Sequence, residues 1–594
     1  MGTFKLRKLP GNSNETEFVT RHLNDCLAKH EKCKLGPRFR ARKYRPSRLI
    51  DVGSADHSID PHVEDGSACS GDYLTLTYCW GDPATITKST TENLVQFTKG
   101  IPFASLSPIF QDAMTLTRLL GYQYIWIDSL CILQDSDEDK RAQLPLMDHI
   151  YASSLLTISA CIATSGNTRL FTPRQHFNVV ELKTLKNVEA GPATCITDQI
   201  FHDFADDVSQ GSLNTRAWCF QERLLGPRLL HFGQDQLHWE CHEGIWDETS
   251  TERKWYTDFG AIDDGELRAA LWSDATENPT PARTLVAGEY MGSEEFVSEW
   301  RRLRESIDEV EAAAARDAHY AKRPLYDSWY EAVSRYTSRD LTNKSDKLPA
   351  ISGVAARFND LLRDTYFAGL WAGDIGQGLL WSRRAFEPVH VEPELAKRPG
   401  IGGWGESVKE WNDTWRGAPS WSWASVDGAV HWVQGRKDMV DLANYALLDS
   451  GHDGAGDYGG LKWASLRARG QLLEIAEVTS LGEEIRGTSS ELEIWLRQKS
   501  RWSRPEMDMD DPSWEALLFS QRRLRPLYFF LIGTAPLGPQ ESSKDDTGGE
   551  DRPFLGWALV LRYWTSERAF RRVGFARVLL ADFSDRPPVE IEIL

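Results

Sequence analysis

The chain has 594 residues, enough for two to four domains or one large body with attached pieces. Apolar residues make up 41% and charged residues 26%, which excludes collagenous, coiled-coil and wholly disordered classes. Asp and Glu outnumber Lys and Arg by 87 to 68, a net charge of −19, so a general phosphate-backbone binder is not expected.

The first 17 residues read as a polar arm, with no apolar stretch of the kind a secretory signal carries. Residues 18–33 follow as a helix, with Val19, Leu23, Cys26, Leu27 and His30 on one face. Tyr73 to Tyr78 is a strand by β-propensity, running into a turn at Cys79-Trp80-Gly81-Asp82-Pro83. Ser107-Pro108 starts a helix, with Ile109, Ala113, Leu116 and Leu120 as its stripe and Gly121 as its stop. Tyr122 to Ile132 reads as a buried strand, Glu138 to Ala152 as a helix despite Pro145, and Leu155 to Cys161 as a third strand. This alternation predicts a parallel α/β sheet. A short helix starts near Arg216, and a hairpin follows from Arg228–Phe232 to Gln236–Cys241 around Gly233. Residues 262–322 are charged and partly helical. Tyr326 to Leu362 is helical, then short Trp-rich strands follow, with Gly/Asp-rich loops at 450–460 and 540–552.

No run of 18 apolar residues exists, so no membrane span is expected. The nine Cys end at position 241, are odd in number and form no disulfide framework, which suits a reducing, cytoplasmic setting. The 23 Trp need a large core with partners for their N–H groups.

Three blocks are more specific: Leu76-Thr77-Tyr78-Cys79-Trp80-Gly81, then Tyr124-Ile125-Trp126-Ile127-Asp128-Ser129-Leu130-Cys131-Ile132-Leu133-Gln134, then Arg216 to Arg228 around Gln221-Glu222-Arg223. In this order they resemble the fungal heterokaryon incompatibility (HET) domain. Cys26-x3-His30-x2-Cys33, Pro46 to Gly53 and Met147-x2-Ile150-Tyr151 extend the resemblance. In the second half, Asp346 to Gly353, Ala368-Gly369-Leu370-Trp371, Ala418 to Ser425 and Arg571 to Gly574 resemble the usual continuation of such proteins. The resemblance implies a flavodoxin/TIR-like parallel sheet in the HET domain and a C-terminal α+β region. It divides the chain into an arm and helix at 1–44, a HET domain at 45–245, an acidic connector at 246–324 and a C-terminal region at 325–594. It implies non-self recognition and cell-death signalling through protein partners, with a nucleotide ligand as the alternative.

Asp128, at the end of an apolar strand, is placed where open parallel sheets bind ligands; it could equally cap the following turn. Asp128 and Glu222 are the catalytic candidates. Tyr78, Cys79, Trp80, Gly81, Asp82, Gln134 and Arg223 are the candidate ligand contacts, with Trp80 able to stack on a base and Gly81 to admit a close backbone approach. Glu222 and Arg223 point to different faces; one of the set Gln221, Glu222 and Arg223 turns inward toward the Asp128 region, or a Glu or Arg ion pair links the hairpin to the sheet. Cys79 and Cys131 read as buried structural thiols, since no sequence-local His activates them. Trp421 and Trp423 read as one face of a core strand. Cys26, His30 and Cys33 share a helical face, but without a C-x2-C pair they read as packing, and no metal is expected. No cofactor is assigned. By analogy with TIR enzymes that cleave NAD⁺, the catalytic Glu belongs at position 143, where this chain has Gln143. A Gln is no anionic base, which weakens the hydrolase reading.

Overall fold

A computed structural model of the chain describes residues 2–4, 13–33, 44–56, 58–171, 177–181, 195–197, 202–234, 236–248, 253–254, 264–272, 309–383, 418–432, 440–441, 443–452, 461–475, 527–534, 555–564, 569–579 and 587–594. They fall into two compact units. The first comprises residues 1–282, 339–341 and 350–354; the second comprises 283–338, 342–349 and 355–594.

The first unit is built on eight strands: β1 (Arg48–Asp51), β2 (His62–Asp65), β3 (Tyr73–Thr77), β4 (Tyr124–Trp126), β5 (Leu156–Ser159), β6 (Arg228–Phe232), β7 (Leu237–Cys241) and β8 (Gly244–Asp247). Their order across the sheet is β8-β7-β6-β5-β3-β4-β1-β2. The inner four, β6, β5, β3 and β4, run parallel. The outer pairs are antiparallel, including the β6–β7 hairpin expected around Gly233. The three strands read from the sequence as parallel do pair in parallel, within a sheet that is mixed as a whole. Leu74, Ile125, Leu156 and Leu230, one from each parallel strand, are fully buried. Both faces of these strands are buried, including their polar residues Thr75, Thr77, Thr157 and Ser159.

Six helices of this unit matter below: α1 (Ser13–Lys29), α2 (Pro108–Leu119), α3 (Asp137–Gln143), α4 (Met147–Ser153), α5 (Ala217–Leu225) and α6 (Gly265–Trp272). Helix α2 begins at Pro108, as the sequence predicts. The Ser107 side chain does not cap it; its Oγ accepts the Thr87 amide at 2.9 Å. Gly121 follows in the left-handed region at φ 81°.

Four local expectations change. The polar arm is shorter, because α1 begins at Ser13, and that helix stops at Lys29 before a 3-10 turn at Glu31–Cys33. The strand expected over 122–132 is only Tyr124–Trp126, and Asp128–Cys131 forms a helical turn. The helix expected over 138–152 is split into α3 and α4 by a 3-10 turn at Leu144–Leu146. Pro145 sits in that turn, where its missing N–H would break an α-helical ladder. Trp421 and Trp423 lie on no strand; Trp423 opens the 3-10 turn Trp423–Ser425.

In the second unit, a helix over Glu309–Thr337 runs continuously across residue 325, and another spans Ser352–Leu362. Both Trp421 and Trp423 are fully buried there. The indoles of Trp329 and Trp423 both donate to the Gly369 carbonyl, at 3.0 and 2.9 Å. Gly369 has φ 96°, and a Cβ on it would lie 2.3 Å from the Trp423 ring nitrogen. A seven-stranded sheet runs in the order Val440–Asp441, Leu527–Thr534, Leu555–Trp564, Ala569–Leu579, Pro588–Ile593, Leu461–Ile475, Asn444–His452. An additional pairing of Leu472–Ile475 with Leu527–Phe530 joins its second and sixth members. The loop expected at 450–460 begins as the end of a strand, and its remainder lies outside the described residues, as do 540–552 and 273–308 of the acidic segment. Among the described residues no helix is long and apolar enough to cross a membrane.

Candidate functional site

Strands β3 and β4 pair in parallel register, Thr75 against Trp126, so both chains leave the sheet at the same end. One exit delivers Tyr78 and Trp80, and the other delivers Asp128. Asp128 Oδ1 accepts the Tyr78 hydroxyl at 2.8 Å and the Ser129 amide at 2.6 Å. Its Oδ2 accepts the Trp80 indole at 2.7 Å. The carboxylate thus caps its own turn and also ties the two strand ends together. Burial raises its pKa; the hydrogen bonds from Tyr78 and Trp80 and the charge of Arg216 offset this only in part.

Glu222 comes to the same place from α5. It lies one turn and a half into that helix, whose first residue follows Arg216. The Thr77 hydroxyl, at the end of β3, donates to Glu222 Oε2. Burial, reinforced by repulsion from Asp128, pushes the Glu222 carboxyl up to about 7 against the pull of Thr77 and Arg216. Arg216 also donates from Nη1 to the Tyr78 carbonyl at 2.5 Å. Two carboxylates and one guanidinium therefore converge where the parallel strands end. Glu222 is poised to exchange a proton near neutrality.

Arg216, Thr77 and Cys219 were not among the site residues expected from the sequence. Arg216 opens the third block at the helix N-cap, and the signal for it was electrostatic: two buried acids near one another call for a cation. Cys79, Leu213 and Cys219 form a small apolar cluster beside it. Burial raises the thiols of Cys79 and Cys219, and carries Cys131 to about 12.

The other candidates have separate tasks. Gly81 takes φ 70°, and a Cβ there would lie 2.5 Å from Ser165 Cβ. Asp82 is exposed and accepts the Ala84 amide at 2.9 Å, closing its own turn. Gln134 donates from Nε2 to the carbonyls of Asp128 at 3.2 Å and Ile132 at 2.9 Å, and so holds the turn that carries Asp128. Gln143 is buried, and its Oε1 accepts the Ser47 hydroxyl at 2.9 Å.

Arg223 turns away from Asp128, into a buried network of its own. It donates from Nε and Nη2 to Glu240 on β7, at 3.0 and 3.2 Å. His231 bridges Ser159 and Glu240 at 2.9 and 2.8 Å, and Arg268 on α6 lies 3.7 Å from Glu240. Burial would raise the Glu240 carboxyl, but Arg223, Arg268 and His231 together hold it well below its ordinary range. Asp264 extends the network, pairing with Arg223 at 3.7 Å and Arg339 at 2.6 Å. Of the neighbours Glu222 and Arg223, one therefore turns toward Asp128 and the other pins α5 to the hairpin.

No curated protein and no solved structure shows a significant match to the chain. The span from Tyr73, where β3 begins, to Glu222, which meets β3 at Thr77, coincides with the limits of a family model. Residues 73–222 match Heterokaryon incompatibility protein (HET), and the chain therefore carries a HET domain.

Proposed function

We propose that this chain acts in heterokaryon incompatibility, in a fungal non-self recognition or cell-death response, and that its HET domain works as an interaction and switching module. The observation that carries this reading is the cluster of Tyr78, Trp80, Asp128, Arg216 and Glu222, which lies within the matched span. Both oxygens of Asp128 are already engaged by the protein's own donors. A carboxylate so satisfied favours holding a conformation over turning over a substrate. Glu222, half-ionised near neutrality beside it, gives that conformation a second charge state. In this reading the HET body spans 45–245, resembles TIR domains, and acts with protein partners in the cytoplasm, with residues 325–594 restraining it or reporting on it.

A second reading, an enzyme acting on NAD⁺ or a related nucleotide, draws on one specific feature. Asp128 and Glu222 lie at parallel strand ends, and Glu222 has the raised pKa of a general acid. Tyr78, Cys79, Trp80, Gly81, Asp82 and Gln134 would be the ligand contacts of that reading, with Arg223 committed to Glu240 instead and Gln143 standing where its carboxylate is expected.

One experiment separates the two. The full-length chain is expressed from an inducible promoter in a filamentous fungus, and colony growth, vital-dye uptake and NAD⁺ are followed together. The switch reading expects growth arrest with NAD⁺ unchanged until cells die. Loss of NAD⁺ ahead of growth arrest, reproduced by the purified protein and absent from Asp128→Asn, would transfer the argument to the enzyme.

A further inference from the structure

Four metal-ligating side chains converge outside the Asp128–Glu222 cluster. Cys26 lies in the last turn of α1, and His30 follows the helix end at Lys29. Cys33 closes the 3-10 turn Glu31–Cys33, and Cys241 is the last residue of β7. One ligand atom from each lies within 4.8 Å of the other three. His30 Nδ1 is 4.0 Å from Cys33 Sγ and 3.4 Å from Cys241 Sγ. The three Cys are buried, His30 is half-buried, and none of the three forms a disulfide.

These separations match a tetrahedral ion. With zinc–sulfur bonds of about 2.3 Å and zinc–nitrogen bonds of about 2.0 Å, ligand atoms stand roughly 3.5–3.8 Å apart. Thiols are weak donors and weak acceptors, so hydrogen bonding gives three of them little reason to gather around one imidazole. The surroundings suit a charged centre. Arg228 on β6 donates from Nε to Cys26 Sγ at 3.1 Å. Zn²⁺ with three thiolates carries one net negative charge, which that guanidinium balances. The Trp246 indole stacks on His30 with centroids 5.4 Å apart and planes 12° from parallel, fixing the ring. Three sulfurs and one nitrogen are soft donors that select zinc over magnesium or calcium.

We propose that Cys26, His30, Cys33 and Cys241 form a structural zinc site that ties α1 to the end of β7. All four positions are filled by protein, which leaves no open position for catalysis. The spacing Cys26-x3-His30-x2-Cys33 could not show this, for two reasons. The helix ends at Lys29, so the 3-10 turn re-aims Cys33, and the fourth ligand arrives from a hairpin more than 200 residues further on.

The test uses the full-length protein expressed in zinc-supplemented medium and desalted. Elemental analysis is expected to give one zinc per chain, and absorption at the zinc edge a shell of three sulfurs and one nitrogen. Cys33→Ser and Cys241→Ser should lose the zinc, Cys33→His should restore it, and Cys131→Ser should keep it. Because a serine variant that misfolds would also lose metal, the deciding arms are the wild-type ligand shell and the Cys33→His rescue. Wild type with well under half an equivalent of zinc and no thiolate-to-cobalt charge-transfer band on cobalt addition would overturn the proposal. So would a shell without sulfur, or a disulfide among Cys26, Cys33 and Cys241 in protein purified under reducing conditions.

Discussion

Replacing Glu222 by Gln should stabilise the first unit by an amount that grows as pH rises above about 4.5 and levels off above about 7. In the folded chain burial and Asp128 move the Glu222 carboxyl from its ordinary 4.5 to about 7. The folded state therefore holds this proton more tightly than the unfolded state. The resulting stability is fully present below pH 4.5 and is lost as pH rises through 7. At about 1.4 kcal/mol per pH unit of displacement, ionising Glu222 in place costs on the order of 3 kcal/mol. Glutamine keeps an acceptor for the Thr77 hydroxyl and never ionises. Urea unfolding of wild type and Glu222→Gln is then followed from pH 5 to pH 8.5 by a probe in the first unit. The variant should gain about 3 kcal/mol at pH 8, about 2 kcal/mol at pH 6 and under about 1 kcal/mol at pH 5. The neutral buried rings of His22 and His231, each lowered to about 4, act equally on both proteins and cancel in the difference. A variant less stable than wild type by the same amount at every pH would refute the reasoning, since it would mean that Arg216 keeps Glu222 ionised throughout.

Arg216→Gln removes the cation that offsets both acids, so the Glu222 midpoint should move above 7, read by carboxyl infrared titration. Gly81→Ala meets both a positive φ and the Ser165 side chain, and should cost roughly 2 kcal/mol or more in urea unfolding. Arg223→Leu leaves Glu240 buried with fewer partners and should cost about 3 kcal/mol at pH 7. In an Arg223→Leu/Glu240→Gln double variant most of that loss should disappear; additive losses would show that the two residues do not act as a pair.

The parts of the fold readable from sequence were those set by local chemistry. Ser107-Pro108 marks the start of α2, Gly121 marks its end, and the β-branched and aromatic run at 73–78 marks β3. Failures came where tertiary context decides. Tyr122 to Ile132 is mostly apolar, so its pattern could not show that pairing ends at Trp126 and a helical turn begins at Asp128. Pro145 was visible, but its effect was underestimated: it divides α3 from α4. At the site, the strand ends pointed to Tyr78, Trp80 and Asp128 together, and the structure ties all three by hydrogen bonds. Adjacent positions on α5 left open which of Glu222 and Arg223 turns inward, because that depends on where β7 places Glu240. Arg216 was hidden because the Tyr78 carbonyl and the two acids it serves come together only in the fold, and Cys241 because it meets Cys26, His30 and Cys33 across more than 200 residues.

On the proposed function, the Tyr78–Trp80–Asp128–Glu222 cluster of the HET domain governs a growth-arresting response without consuming a nucleotide. The most direct measurement is colony growth and NAD⁺ content after induced expression of full-length wild type and Asp128→Asn at matched protein levels. Wild type is expected to arrest growth, Asp128→Asn to relieve the arrest, and NAD⁺ to be equal in both before arrest. Equal growth of the two strains, or NAD⁺ depleted by wild type alone before growth slows, would contradict that reading.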